Sequence, residues 1–270
     1  MSGASKGRRG GPAARPTTAR DAMLTLLAVA AGCVDGASFL GLGQVMPAAM
    51  TGNTVLLGLA LGQADLDGAL RSTVALAGFM AGALVGAAIV DRGPRGVIWT
   101  PPVTAALALE LVILIALALA WHVLEARAAW SVDYRHPLIA AAGIAMGIQS
   151  AAAQRVGVPG VATTYVSGTL TSLAARLVDW LETSRAPARE DQAKAIGAPW
   201  LPAIVWIAYG SGAVFAGIAH LWWPTVALPP VLAGVAGEVR WGPAALLLPI
   251  GIVVVVTVAA VIVQRRPAPA

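Results

Sequence analysis

Long apolar runs separated by short polar stretches dominate the chain, and eight of them approach the length of a membrane span. They cover residues 22–43, 48–64, 71–91, 102–123, 137–153, 161–181, 200–222 and 243–264. About 20 apolar residues at 1.5 Å rise each are needed to cross the hydrocarbon core. The second and fifth runs are short, and short runs cross only when tilted or shielded, or else re-enter. The pattern predicts an all-α, polytopic transmembrane helical bundle of about eight spans forming one domain over residues 21–266. A six-span variant, with the second and fifth segments re-entrant, is the alternative.

Small residues recur along these runs in a way that suggests two halves, 22–124 and 137–264. Gly32 and Gly36 of the first run match Gly143 and Gly147 of the fifth. Thr51-Gly52-Asn53-Thr54, opening the second, matches Ser167-Gly168-Thr169-Leu170 within the sixth. Gly78, Gly82 and Gly86 match Ala208, Gly212 and Ala216. Small residues four apart let helix backbones approach closely. With four spans per half, the two copies are expected to run parallel.

Composition supports the membrane class. The chain is 58% hydrophobic and 11% charged, with a mean hydropathy of +0.77, whereas soluble domains carry roughly 25% charged residues. The single cysteine, Cys33, excludes an internal disulfide framework and a Cys-based zinc site. The net charge of +5 could suggest nucleic acid, but five of the 18 cations sit in the first 20 residues and no basic face is interleaved with aromatics. Residues 1–20 read as a disordered basic tail on the cytoplasmic side. The stretch Ala30-Ala31-Gly32-Cys33 resembles a lipoprotein cleavage site, yet the apolar run continues through Phe39 and Leu40, so an uncleaved first span is expected.

Positive charge orients the spans. With the tail inside and every segment crossing, Lys6, Arg8, Arg9, Arg15, Arg20, Arg71, Arg127, Arg135, Arg176, Arg185, Arg189, Lys194, Arg265 and Arg266 fall inside. Only Arg92, Arg95, Arg155 and Arg240 fall outside. Both termini are therefore expected in the cytoplasm of a bacterial inner-membrane protein, with residues 182–198 as a solvated cytoplasmic loop. Trp99, Trp121, Trp130, Trp180, Trp200, Trp222, Trp223 and Trp241 lie at span ends, where indoles anchor at the headgroups.

Ionisable groups within spans are expensive, so each is a functional candidate. Asp35 lies near the centre of the first span and Glu110 near the centre of the fourth, with Arg176 and Arg155 the nearest cations. A carboxyl that loads and releases a proton or cation is what a secondary transporter needs; the alternative is a hydrogen-bonded carboxyl that ties helices together. A second polar cluster comprises Thr51, Gly52, Asn53 and Thr54, with Gln149, Gln154, Arg155, Thr163, Thr164, Ser167, Gly168, Thr169, Thr171 and Ser172 in its counterpart region. Gly and Pro beside hydroxyls and amides at membrane depth suggest interrupted helices facing a cavity. Single threonines more often bond back onto their own helix.

Met50-Thr-Gly-Asn-Thr-Val-Leu-Leu-Gly58, Gly147-Ile-Gln149 through Gln154-Arg155-Val-Gly157, and Thr163-Thr164-Tyr-Val-Ser167-Gly168-Thr169 resemble the hallmark motifs of the YoaK-like family of bacterial membrane proteins, domain of unknown function number 1275. Gly32-Cys-Val-Asp35-Gly36 suits it too. The resemblance covers about residues 22–264 and implies fold and location, with no settled activity. Ser150 stands where the family often has Asn, and Ser167 where it has Thr.

The reading these features favour is a small secondary transporter or exporter, with Asp35 as relay. A non-transporting signalling or assembly partner is the alternative. An enzyme is not expected: His122, His136 and His220 lie at span ends, away from Ser38, and no H-E-x-x-H or phosphate-binding loop occurs. No cofactor and no metal are implied. Expected partners are the bilayer and a small molecule or ion, and glycine faces serve homo-oligomer contacts as readily as internal ones.

Overall fold

Among the described residues, eight α-helices form along the predicted runs: α1 (Thr18–Gly41), α2 (Met50–Gly62), α3 (Leu66–Val90), α4 (Pro101–Ala126), α5 (Val132–Val156), α6 (Val166–Arg185), α7 (Trp200–Trp222) and α8 (Leu247–Gln264). The computed structural model describes residues 18–94, 99–126, 132–156, 166–185, 200–222, 225–226, 239–240 and 244–264. A two-residue antiparallel pairing joins Thr225–Val226 to Val239–Arg240, and a 3-10 turn, Ala244–Leu246, leads into α8. Most of the tail, Trp130, Trp223, Trp241, Thr163, Thr164 and most of the 182–198 loop lie outside the described residues. Five helices (α1, α3, α4, α5 and α7) are long and apolar enough to cross a membrane, and α8 is a shorter apolar helix. The predicted fifth segment extends to 25 residues as α5, which is ample.

Two helix pairs approach most closely, and glycine makes both possible. Along α3 and α5, a β-carbon on Gly78 would lie 2.7 Å from the Ala140 carbonyl oxygen. One on Gly82 would overlap the Ile144 carbonyl, and one on Gly147 the Phe79 carbonyl. Partner numbers rise together along both helices, so α3 and α5 run parallel. Along α1 and α7 the same relation holds: Ala28 packs with Val205, Gly32 abuts Tyr209, and Gly36 abuts Ala213 and Ala216. Ridges cut down to hydrogen let the backbones meet.

The equivalence is that of an internal duplication. Matching α1 with α5 and α3 with α7 turns each close pair into the other. Contacts of α2 with α3 and of α4 with α5 are likewise mirrored by α6 with α7 and α8 with α1. Ser167 is the second described residue of α6, as Thr51 is the second of α2.

The halves are inverted, contrary to the parallel arrangement expected from four spans each. Gln149, near the end of α5, reaches Leu27, near the start of α1. Gly41, ending α1, packs on Trp121 near the end of α4, and Gly43 lies against Arg71 and Arg135 at the starts of α3 and α5. Hence α1 and α7 run opposite to α3 and α5. The end of α1 and the start of α3 lie at the same face of the bundle, so α2, with 13 residues, leaves no net crossing. The parity of the first half drops from four to three. In the second half, Arg155 ends α5 beside Gly93 and Pro94, at the face where α3 also ends. The chain returns to that face to start α7, and Trp180 of α6 packs edge-on against Trp200 at 6.4 Å. So α6, which carries Arg176, Asp179, Glu182 and Arg185, makes no net crossing either. Trp121, near the end of α4, is fully buried and Trp99, just before its start, nearly so, so both pack against protein.

Candidate functional site

The start of α2 is held inside the bundle by polar side chains from its neighbours. After α1 ends, the chain turns through Gly43 (φ 93°) and Gln44 (φ 64°). Gly43 is required there: φ is positive and a β-carbon would stand 2.8 Å from Arg71 Cδ. Residues 45–49 then turn back along α1 until Ala48 reaches Asp35, six residues before the end of that helix. The Ala48 N–H donates to Asp35 Oδ1 at 2.6 Å, and Tyr209 Oη of α7 donates to Oδ2. Ala49, the residue that caps α2, has no side chain able to do so. Asp35 instead holds the residue before that cap from another helix, and stands where the α2 dipole favours a negative group.

Asn53 completes the hold. Fully buried, it accepts from Met46 N at 3.0 Å and donates to Met46 O at 2.7 Å, closing a ring on the backbone of one residue. Gly52 gives Met46 room, since a β-carbon would stand 2.5 Å from Met46 Cε. Thr51 is exposed, and Thr54 bonds back to Met50 O, as Thr171 does to Ser167 O.

The predicted set therefore separates. Asp35, Gly52 and Asn53 form one site. Gln149 is buried in α5 and donates to Leu27 O at 3.0 Å, while its Oε1 has no partner among the described residues. Leu27 lies eight residues from Asp35, about 12 Å along the helix, so Gln149 ties the halves together elsewhere. Arg155 donates to the Gly93 and Pro94 carbonyls, and Gln154 is exposed. Ser167 and Gly168 stand at the start of α6, Thr169 is buried beside them, and Arg176 is buried two turns on; Thr164 lies outside the described residues. Glu110 is fully buried on the packed stripe of α4 between Leu107 and Leu114, and both its oxygens lack a partner among the described residues.

Tyr209 is the participant that the sequence reading missed. Its signal was available: the repeat aligns Ala208 with Gly78, hence Tyr209 with Phe79, and Asp35 with Met146. At the equivalent crossing of α3 and α5 an apolar pair stands where α1 and α7 carry an acid and a phenol. The site therefore occupies one of the two equivalent crossings between the halves. Replacing Tyr209 with Phe leaves a buried carboxyl oxygen unsatisfied, with an expected cost of about 1–3 kcal/mol. Thermal unfolding in detergent checks this, and in the Asp35→Asn background the same change is expected to cost measurably less.

Fold and site together define a polytopic α-helical membrane protein of two inverted halves, one of which fixes a short helix by an internal carboxyl. The chain belongs to the family described as "Protein of unknown function (DUF1275)", whose profile matches residues 23–259. It is 41% identical over 155 residues to the UPF0700 transmembrane protein YoaK of Bacillus subtilis (strain 168). That alignment covers 57% of this chain and 65% of that protein's length. No solved structure matches.

Proposed function

We propose that the protein is a small secondary carrier of the bacterial inner membrane, with both termini in the cytoplasm and Asp35 as its coupling carboxyl. The observation that carries this reading is that Asp35 joins three parts of an inverted-repeat frame: its own helix, the start of the short helix α2, and α7 of the opposite half. Inverted repeats with short helices beginning inside the bundle are the architecture of alternating access. An ionised carboxylate accepts from both donors; protonation turns one oxygen into a donor. The Tyr209 hydroxyl can reverse its bond, but the Ala48 amide cannot. Proton loading at Oδ1 therefore loosens the start of α2, and loading at Oδ2 preserves it, which gives the site two states with different holds on α2.

The test is proton flux in proteoliposomes carrying a trapped pH-sensitive dye under an imposed gradient. Wild type is expected to conduct when its substrate is supplied from a broad panel, and Asp35→Asn to lose at least tenfold while remaining folded by size exclusion. Unimpaired flux in Asp35→Asn removes the coupling role. No flux with any substrate favours a docking protein instead.

A further inference from the structure

The Gln154–Arg155 pair belongs to a sequence motif that the Asp35 site does not use, and it lines a groove at the other end of the molecule. The groove, about 390 Å³, follows the seam of α3 and α5 toward the face where both helices end. Its volume lies in the range of small-molecule sites, roughly 300–1,000 Å³. Phe79, Met80, Leu84 and Ala87 form an apolar wall, and Asp91, Gln154 and Arg155 form the mouth. From Phe79 to Asp91 is twelve residues of nearly continuous helix, about 18 Å, which is close to half the thickness of a bilayer. The apolar part thus matches one leaflet, and the polar mouth matches its headgroup layer.

Charge at the mouth narrows the occupant. Asp91 is exposed and its carboxylate makes no hydrogen bond or ion pair among the described residues. The Arg155 guanidinium uses Nη2 on the Gly93 and Pro94 carbonyls, and its Nε is without a partner among the described residues. A phosphodiester satisfies Arg155 by charge-assisted bonds. Asp91, in the same lining, accepts from an ammonium, which a purely anionic headgroup lacks; Arg92, next in the chain, does not line the groove. A primary ammonium carries three N–H donors, enough for Asp91 and the Gln154 amide oxygen together, and a quaternary ammonium has none. We propose that this groove is a binding site for a phospholipid with a zwitterionic, primary-amine headgroup, its acyl chain along the Phe79–Ala87 wall.

Native mass spectrometry of the full chain, delipidated in detergent and then offered phosphatidylethanolamine, phosphatidylglycerol or phosphatidylcholine, tests the assignment. Wild type is expected to retain one phosphatidylethanolamine at least fivefold more than either other lipid. Asp91→Asn removes the ammonium partner, and Leu84→Trp fills the groove from an exposed position; each is expected to reduce that retention at least fivefold with unchanged thermal unfolding. Equal retention of the three lipids by wild type overturns the proposal, and so does unchanged retention in both variants. Arg155→Gln is a poorer probe, because Arg155 also ties the end of α3 to α5.

Discussion

A cysteine at Gln44 and a cysteine at Gln63, each in a Cys33→Ala background, are expected to react with a membrane-impermeant maleimide from the same side of the membrane. Both positions are exposed, and they flank α2. The contact of Gly43 with Arg71 and Arg135 places the residues before α2 beside those that open α3 and α5. A 13-residue helix is about 20 Å long, short of the roughly 30 Å hydrocarbon core. Its start is tied to Asp35, inside the bundle, and its end leads directly into α3. Eight crossings would instead put Gln44 and Gln63 on opposite faces, so labelling from opposite sides in intact cells overturns the inverted arrangement. The expected outcome is all or none.

Replacing Gly82 or Gly212 with Leu is expected to abolish the folded, monodisperse protein, and replacing Gly58 or Gly251 with Leu is expected to leave it intact. At Gly82 a β-carbon overlaps the Ile144 carbonyl, and at Gly212 it overlaps the Val29 carbonyl. Both obstacles are backbone, so relief requires the helices to separate and lose the contacts along their whole length. Overpacking of side chains costs about 1–3 kcal/mol, and a backbone obstacle belongs above that range. Around Gly58 and Gly251 nothing stands within 4 Å. Size-exclusion profiles and thermal unfolding of the four variants check the contrast. A folded Gly82→Leu protein of normal stability would show that α3 and α5 do not meet as described.

The two crossing schemes could not have been separated by charge. With α2 and α6 not crossing, Arg92, Arg95 and Arg155 move to the tail side while Arg71, Arg127 and Arg135 leave it. Three cations replace three, and the bias stays at fourteen to four. The positive-inside rule weighs totals, so an exchange of equal numbers is invisible to it. The charge rule thus gives the same expected side for both termini in either scheme, and the direction of α3, α4 and α5 reverses.

The eight helices, their membrane class and the duplicated pattern were legible along the chain, because apolar length and small residues at four-residue spacing are local properties of sequence. Asp35, Asn53 and Gln149 were legible as costly groups in an apolar stretch. Their grouping was not. Gln149 pairs with the α1 backbone at Leu27, whereas Asp35 pairs with Ala48 and Tyr209, and these partners lie far apart in sequence. A hydrogen bond between helices depends on which faces meet, and the glycine stripes fix that only once two of them are chosen as partners. Inversion of the halves rests on the same choice: whether α2 and α6 cross depends on where their ends are anchored, which the identities of their own residues do not record. Length and composition thus determined what spans, and the tertiary contacts at Gly43, Asp35 and Arg155 decided which way each helix runs and what the buried acid holds.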